Sequence, residues 1–595
     1  MHIVEGINGK YCYARECIWD SKKRSYVTPG KCIGQIIVAE DNNKIFKPNK
    51  FLALLLNQFV YDPSDLSSHE KLIVNIAIEK YGKDIIKSAD ATANSNTQFQ
   101  TAHAIFDGFH LVFGSITKRY KLQLFLEEAF PKQTALDILS LSWYIASEGS
   151  ALSNSDSWLE YYENPRGAPI SSQDISRLLD RITTDGMMSF YKFWLASNAN
   201  GKDEDRTLYD LTSISFNGNS IHAADWGYKR DVDKSCQVNF ALMCKRKTGM
   251  PLFAWSMNGS ISDVTTLEDT LGFIDKLGYK PNCLMMDRGF ASKDNISYML
   301  RRNYTFLQAL RINAEWIHHL IDAGEDERTS PDSMIKDDER TYYSSKVKCQ
   351  WTIFKHLSGR KAGREEISVN IFKSKEQNKD LAFGDDVKVI AQNTCNFYAL
   401  FCQDLVGGQR DRFMESLKEE RDRLIEDDYS TVKKELAKYF IINMPKFARH
   451  RSVSYNLDNI KHFDTKYSGY VCFLSNDKSI KNAEDALSEY STRDYIEKDF
   501  DEMKNDLDMR RLRVHSDQRM KARLFIQFIA EIYMREIRIR LRDSEECKRM
   551  TKRQIFSHLK TIYKIKFKGK YRDIRPSLSK SQRSILQALD IDAIR

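Results

Sequence analysis

The spacing of apolar and polar positions changes along the chain and divides it into regions of different predicted structure. Residues 1–60 carry short alternating runs, which predict strands. Two of these runs, Tyr11–Ala14 and Ser25–Val27, flank the turn-like stretch Asp20–Lys23, which predicts a hairpin. Residues 66–200 instead repeat apolar positions at helical spacing, so we expect this region to be mostly helical.

The pattern changes again after residue 206. Three apolar runs rich in β-branched and aromatic residues are followed by a helical stretch, a short buried-type strand, a second helix and a further strand. In order they are Thr207–Phe216, Gln237–Met243, Pro251–Ser256, Val264–Leu277, Cys283–Met286, Asp294–Arg302 and Tyr304–Leu310. This succession predicts an α/β layer close to the order of a ribonuclease-H-like core.

Residues 312–464 interrupt that succession. They are polar and contain strand-like pieces with one charged helical stretch, and the α/β style returns only at Tyr470–Leu474. We therefore expect an α/β, ribonuclease-H-like core interrupted by a mixed, partly β insertion domain. The expected regions are 1–100 (hairpin and helices), 101–200 (helical), 201–311 (first part of the core), 312–464 (insertion domain), 465–545 (second part of the core) and 546–595 (basic C-terminal region).

Composition narrows the classes of function. The chain has 595 residues, 42% of them apolar, and no apolar run approaches the length of a membrane span. Its eleven cysteines form no Cys-x-x-Cys pair and its N-terminus lacks the layout of a secretory signal, so we expect a protein of the reducing cytoplasm. Nothing resembles the Gly-x4-Gly-Lys-Ser/Thr loop that binds nucleotide phosphates, so no nucleotide cofactor is expected.

The net charge of +9 is unevenly distributed. Residues 505–595 contain 24 Lys and Arg against 11 Asp and Glu, a net of +13, which leaves −4 for the rest of the chain. A basic segment beside a near-neutral body indicates a polyanionic partner, most often nucleic acid. A solvated basic surface without any partner is an equally weighted alternative.

Two stretches of this basic segment predict different structures. The middle of Arg519–Arg542 is almost wholly apolar, which predicts a buried helix. From Lys560 to Arg572, positive charges alternate with apolar residues. That second stretch could follow a nucleic-acid backbone, or it could be an exposed strand with one charged face.

One spacing near the end of the predicted core carries candidate chemistry. On a helix, Tyr490, Arg493, Glu497 and Lys504 fall on one narrow stripe, beside an apolar stripe that can pack on a sheet. A carboxylate between two cations suits a metal ion held next to phosphates. The alternative is a solvated amphipathic helix with ion pairs, which geometry alone favours because charged stripes are common.

This spacing, Tyr-x2-Arg-x3-Glu-x6-Lys, resembles the signature of bacterial insertion-sequence transposases of the insertion-sequence-four superfamily. Two further segments resemble the aspartate-bearing strands of that family. They are Leu208–Ser213, which contains Asp210, and Leu284–Phe290, which contains Asp287 followed by Arg-Gly. The order Asp, Asp, Glu is the order of the family, and the long interval before Glu497 is typical of members with an insertion domain.

The resemblance implies a DDE transposase. Asp210, Asp287 and Glu497 would be its catalytic residues and also the ligands of two Mg²⁺ ions, for which Mn²⁺ can substitute. Its partners would be double-stranded DNA, at transposon ends and at the target, and a second copy of the chain in a paired-end complex. The protein would be located in the bacterial cytoplasm, and at the nucleoid when it is bound to DNA. Residues 1–100 are then assigned by elimination to binding DNA ends.

The resemblance also assigns contacts with DNA. Arg493 and Lys504 would hold phosphates of the transposon end, and Tyr490 would donate a hydrogen bond to one. In some relatives an aromatic residue of the insertion domain stacks on a flipped base. Trp351 or Trp316 could take that role, although packing is the favoured interpretation of both.

The two aspartates also have purely structural interpretations. Asp210 could be an edge-strand or hydrogen-bonded buried residue, and Asp287 could simply belong to a turn. An unpaired carboxylate in a core strand is costly, however, and α/β sites form at the C-terminal ends of strands. Both considerations favour a functional role.

Two other functions stay open at this point. One is a ribonuclease-H-like nuclease that cuts DNA without joining it. The other is a catalytically inactive DNA-binding protein derived from a transposase. The presence of all three carboxylates speaks against the second.

Overall fold

The computed structural model of the chain describes residues 2–5, 11–16, 18–20, 25–27, 30–38, 44–61, 63–86, 103–149, 151–199, 206–216, 221–224, 236–261, 263–312, 314–337, 340–372, 386–426, 430–433, 436–443, 451–461, 465–493, 496–497, 500, 514–566 and 573–591. These residues form two compact units. The first unit comprises Met1–Gly108 and Ser557–Gln582, and the second comprises Phe109–Phe556 and Arg583–Arg595.

The strands, in chain order, are β1 (His2–Glu5), β2 (Tyr11–Arg15), β3 (Ile18–Asp20), β4 (Ser25–Val27), β5 (Gly30–Val38), β6 (Lys44–Pro48), β7 (His103–Phe106), β8 (Thr207–Phe216), β9 (Cys236–Lys245), β10 (Pro251–Asn258), β11 (Leu284–Met286), β12 (Phe306–Leu310), β13 (Met334–Asp337), β14 (Arg340–His356), β15 (Glu365–Ile371), β16 (Val387–Phe401), β17 (Phe440–Asn443), β18 (Ser452–Tyr455), β19 (Tyr470–Ser475) and β20 (Tyr563–Lys566).

The α-helices, in chain order, are α1 (Lys50–Tyr61), α2 (Ser68–Tyr81), α3 (Gly108–Arg119), α4 (Leu122–Ala129), α5 (Lys132–Glu148), α6 (Ser155–Tyr161), α7 (Ser172–Arg181), α8 (Thr184–Ala199), α9 (Asp263–Lys276), α10 (Lys293–Arg301), α11 (Glu315–Ala323), α12 (Glu325–Arg328), α13 (Gln403–Glu426), α14 (Leu457–Lys461), α15 (Ala483–Ser491), α16 (Asp517–Arg542), α17 (Lys552–Lys560) and α18 (Lys580–Ala588). The resulting mixture of helix and strand confirms the α/β class.

The first unit contains an antiparallel sheet of order β1-β2-β5-β6, packed with α1 and α2 around one apolar core. Residues 21–24, which include most of the predicted turn, lie outside the described residues, and β4 pairs with β3 and not with Tyr11–Ala14. The predicted partner is therefore wrong, because the nearer strand closes a shorter loop at lower entropic cost. In the same unit β20 pairs with β7, which places Lys564 and Lys566 on a strand.

The second unit is built on two helices that are buried along most of their length. They are α5 and α16, which pack against each other, and α16 also packs on α7 and β10. The prediction of a buried helix within Arg519–Arg542 is confirmed. Ser516 caps its start by accepting a hydrogen bond from the Arg519 amide.

A ten-stranded sheet forms the other part of the second unit, in the order β10-β9-β8-β11-β12-β19-β16-β14-β13, with β15 paired to β14. Strands β8, β11 and β12 are parallel to one another, β9 pairs antiparallel with β8, and β10 pairs antiparallel with β9. The predicted succession of three strands, helix, strand, helix and strand is confirmed over residues 207–310. The parallel trio brings its C-terminal ends to one edge of the sheet.

Strand β19 lies antiparallel between β12 and β16, so the sheet continues without a break into residues 334–401. Because residues 334–401 are largely polar, their sequence did not predict that they extend this sheet. In β16, residues 397–400 are buried beside β19, while half of the ten earlier residues are exposed. Farther along, α13, β17 and β18 share a small core of their own, formed by Leu417, Leu424, Tyr439, Phe440 and Val453.

Candidate active site

Asp210 lies inside the sheet. Its strand β8 is paired on one side with β9 and on the other with β11, and only 5% of the residue is exposed. Its Oδ1 atom accepts a hydrogen bond from the Leu211 amide at 2.8 Å. A charged carboxylate at such a position needs a cation beside it, because burial strongly disfavours the isolated charge.

Asp287 follows directly after β11. Since Met286 is aligned with Tyr209 in the parallel pair, the next positions along the same register are Asp287 and Asp210. Asp287 also begins the short 3₁₀ turn Arg288–Phe290, and its Oδ1 accepts a hydrogen bond from the Arg288 amide at 2.6 Å. The two predicted aspartates therefore share one edge of the sheet through strand pairing.

The segment that carries Tyr490, Arg493 and Glu497 is not the single helix that the spacing predicted. Helix α15 ends at Ser491, residues 492–493 form a turn, and Ile496, Glu497 and Phe500 are again helical. The turn is held by hydrogen bonds from the Arg493 amide to the Tyr490 carbonyl and from the Ile496 amide to the Arg493 carbonyl. The prediction of one continuous helix is thus wrong at residues 492–493, which form a turn, although Arg493 still contacts both Tyr490 and Glu497.

That turn directs the Arg493 guanidinium into the three carboxylates. Its Nη2 atom lies 3.3 Å from Asp210 Oδ2 and 2.8 Å from Glu497 Oε1. Its Nη1 atom lies 3.2 Å from Asp287 Oδ1. The structure therefore brings the predicted Asp, Asp and Glu together around one arginine of the predicted motif.

Tyr490 completes the cluster from the last turn of α15. Its hydroxyl donates a hydrogen bond to Asp287 Oδ1 at 2.9 Å and accepts one from Arg493 Nη1 at 3.0 Å. Its ring packs against Phe473 of β19, with the centroids 5.0 Å apart. Burial, together with the nearby charge of Asp287, raises the pKa of the Tyr490 hydroxyl, so this group stays protonated and acts as a donor.

The cluster has a surplus of negative charge. Among the residues that the structure describes here, three carboxylates surround one guanidinium, which leaves a formal charge of −2. Burial alone would lower the pKa of Arg493, but the coulombic influence of Tyr490, Asp210 and Asp287 raises it above its ordinary value. Arg493 is therefore always charged, and the cluster attracts further positive charge.

The donor atoms of the cluster fit a hard divalent cation, because all three side chains offer carboxylate oxygens. Within the ranges that the structure describes, no group of three or more Asp, Glu, His or Cys side chains is arranged so that it could hold a metal ion. Arg493 lies among the three carboxylates that would do so. The chemistry of the ligand set therefore fits Mg²⁺ or Mn²⁺, with the guanidinium as the present counter-ion.

Two residues outside the sequence motif fix the backbone at Asp287. Gln308, fully buried in β12, donates from Nε2 to the Asp287 carbonyl at 2.7 Å. Arg311 donates from Nε to the Arg288 carbonyl at 3.1 Å. The sequence offered one signal for the first of them, because Gln308 is a single amide in the otherwise apolar run Phe306–Leu310.

The remaining predicted site residues lie elsewhere or outside the described residues. Trp351 is fully buried, and its indole N–H donates to Ser297 Oγ at 2.9 Å, so it presents no exposed face to a base. Trp316 is half-buried and meets Trp351 edge-on, with ring centroids 5.5 Å apart. Both have the contacts of packing residues. Lys504 lies outside the described residues, as do Lys568, Lys570 and Arg572 of the basic stretch.

Comparison with known proteins bears directly on this cluster. The model of a family described as a transposase DDE domain matches residues 201–531, more than half of the chain, and the matched range contains all three carboxylates. No curated protein sequence matches. In the ranges described above, no helix combines the length and apolarity needed to cross a membrane.

Among solved structures, the chain is similar to a piggyBac transposase in its synaptic complex with hairpin DNA, determined by cryo-EM. The two sequences are 12% identical, and the TM-score is 0.19. The similarity covers 39% of this chain and 49% of the other, which is about half the length of that protein. At this TM-score it supports no inference about fold or activity.

Proposed function

This chain belongs to the transposase DDE domain family, and we propose that it is the transposase of a bacterial insertion sequence of the insertion-sequence-four superfamily. It binds the terminal inverted repeats of its element, cuts the DNA there and joins the freed ends to a target. The observation that carries this proposal is the convergence of Asp210, Asp287 and Glu497 on the guanidinium of Arg493.

The three carboxylates would hold two Mg²⁺ ions, for which Mn²⁺ can substitute. When bound, such ions supply an activated water and stabilise the departing 3′-oxygen of a phosphodiester. The residues of the chain orient this chemistry. Asp210 is fixed within a strand and Asp287 within a backbone turn, while Glu497, whose side chain is 55% exposed, is free to adjust to the substrate.

In this proposal Arg493, Tyr490 and Lys504 bind phosphates of the DNA substrate. A guanidinium binds two phosphate oxygens at once, and the protonated Tyr490 hydroxyl can transfer its hydrogen bond from Asp287 to a phosphate. The partner is double-stranded DNA, and a second copy of the chain completes a paired-end complex. The setting is the bacterial cytoplasm, at the nucleoid.

A cleavage assay tests the proposal. The purified full chain is mixed with Mg²⁺ and a plasmid that carries the DNA flanking its own gene, beside Asp287→Asn and Glu497→Gln proteins. Asp294→Asn and Glu484→Gln are the matched controls, because both change exposed carboxylates on nearby helices. We expect cuts at the element's ends, and recovered insertions, with the wild type and both controls only.

The other results separate the alternatives. Cuts without insertions identify a nuclease that does not join DNA. Tight binding of the ends without cleavage, in Mg²⁺ and in Mn²⁺, identifies an inactive DNA-binding protein. Cleavage retained by both Asp287→Asn and Glu497→Gln refutes the assignment of the site.

A further inference from the structure

The guanidinium of Arg493 takes the place among the three carboxylates that a bound cation would take. It contacts one oxygen of each of them, at distances between 2.8 and 3.3 Å. It is also largely shielded, since the Arg493 side chain is only 18% exposed. Removing it would leave the 5%-exposed Asp210 in need of another cation.

A divalent cation and this guanidinium compete for the same atoms. Oδ1 of Asp210 accepts the hydrogen bond of the Leu211 amide, and Oδ2 is the oxygen that Arg493 contacts. Oδ1 of Asp287 accepts hydrogen bonds from the Arg288 amide and the Tyr490 hydroxyl and lies 3.2 Å from Arg493 Nη1. Because two cations repel each other strongly at contact distance, Arg493 must withdraw before an ion can use these oxygens.

The side chain of Arg493 can withdraw by rotation about its own χ angles, which leaves the backbone turn after α15 in place. A DNA phosphate is the natural acceptor, because a guanidinium binds phosphate in a bidentate manner and the phosphate carries its own negative charge. This step rests on the function proposed above.

We propose that Arg493 is a resident counter-ion that keeps divalent metal out of the carboxylates until a DNA phosphate draws it away. Metal binding and DNA binding are then positively coupled, and by linkage each strengthens the other by the same factor. The free protein would carry little metal and would not hydrolyse DNA at random. The protein on its DNA end would load metal at the moment when the scissile phosphate is in place.

Titration of the DNA-free full chain with Mn²⁺ tests this coupling. Binding is followed calorimetrically and by the electron paramagnetic resonance signal of free Mn²⁺, for wild type, Arg493→Gln and Arg493→Lys. Arg519→Gln is the control, because Arg519 pairs with Asp180 and not with any of the three carboxylates. We expect Arg493→Gln to bind Mn²⁺ about tenfold more tightly than wild type, since one positive charge is removed from the site. Arg493→Lys falls between them, and the control matches the wild type.

Two further measurements locate the effect. Adding Asp210→Asn to Arg493→Gln should abolish the gain, which places the ion at the carboxylates. A DNA duplex with the sequence that flanks the gene should raise the Mn²⁺ affinity of wild type and of Arg519→Gln. The same duplex should raise the Mn²⁺ affinity of Arg493→Gln much less.

The proposal is overturned if Arg493→Gln and Arg493→Lys bind Mn²⁺ no more tightly than wild type without DNA. Urea unfolding of each variant shows whether it is folded, and Arg493→Lys, which keeps the positive charge, carries the test if Arg493→Gln is not. These titrations are independent of the cleavage assay. A chain that fails to cut DNA but gains metal affinity on loss of Arg493 refutes the proposed function and keeps the counter-ion role.

Discussion

Two charged clusters lie at neighbouring positions along α15, and their charge balances are opposite. The balanced cluster consists of Arg206, Arg246, Asp477 and Glu489. The acidic cluster consists of Asp210, Asp287, Arg493 and Glu497. Glu489 and Tyr490, consecutive in sequence, contact one cluster each.

In the balanced cluster every charge is matched. Arg206 lies 2.8 Å from Glu489 and 3.0 Å from Asp477, and Arg246 lies 3.1 Å from Glu489. The charges of this cluster cancel, whereas the described residues of the acidic cluster leave two negative charges unbalanced. The comparison teaches that the surplus of one sign, and not the number of charged residues, distinguishes a candidate site from a structural ion-pair network.

The largest effect is expected from Asp210→Asn. We expect the rate of end cleavage to fall by about a hundredfold to a thousandfold, as when a preorganised electrostatic group is lost. The free energy of unfolding should stay within about 1 kcal/mol of wild type, because relief of carboxylate repulsion offsets the lost Arg493 contact. Plasmid cleavage and urea unfolding measure the two quantities. A large loss of stability with activity retained would assign Asp210 to the structural class.

Glu489→Gln should show the reverse. It leaves Arg206 and Arg246 short of a negative partner in a mostly buried setting, so we expect a loss of about 3 kcal/mol in the free energy of unfolding. Cleavage at moderate temperature should persist. Glu484→Gln, an exposed change on the same helix, is the control for urea unfolding. Equal stability of the two variants would remove the distinction between the clusters.

Gln308→Met tests whether the acidic cluster depends on the positioning of the Asp287 backbone. The change keeps the volume but removes the hydrogen bond to the Asp287 carbonyl, so we expect a fall of about tenfold in the cleavage rate, with DNA binding unchanged. Gln350→Met removes another buried amide from the same sheet and is the control. Similar losses of activity in both variants would show a general effect of sheet stability.

The smallest effect concerns pH. Burial would raise the pKa of Asp477, but hydrogen bonds from Ser479 and Arg206 lower it below its ordinary value. Stability from a lowered carboxyl pKa is fully present above the unfolded value of about 4 and is lost as pH falls through the folded value. Wild type should therefore lose its advantage over Asp477→Asn as acid is added below about pH 4. Urea midpoints measured against pH follow this, and a constant difference would contradict it.

The sequence was most informative where chemistry and local pattern coincide. Asp287 follows a short apolar run, and the succession of elements from Thr207 to Leu310 is confirmed. Tyr490, Arg493 and Glu497 do lie near the two aspartates, a proximity that the family resemblance implied and that their spacing alone did not predict. It did not predict the turn at Arg493, because nothing in the residues 492–493 excludes helix and the contact with the carboxylates is long-range.

Long-range pairing also explains what else was missed. Residues 334–401 are polar at the far ends of their strands, so their sequence did not indicate that they extend the same sheet as Asp210. Gln308 acts on Asp287 only because β11 and β12 lie side by side. The pairing of β3 with β4 depended on loop length, which the residue pattern alone does not rank.

The position of β19 between β12 and β16 has a consequence for synthesis of the chain. Strand β12 is synthesised long before β19, so the edge of β12 that pairs with β19 stays unpaired until residue 475 has left the ribosome. An exposed strand edge can pair with strands of other chains. Because β19 pairs with strands that are distant in sequence, we expect the sheet to form slowly and to be prone to aggregation at high chain concentration. A product that stops before residue 497 also lacks the third carboxylate. Incomplete translation therefore yields chains that can aggregate or bind, but in which the acidic cluster is never assembled.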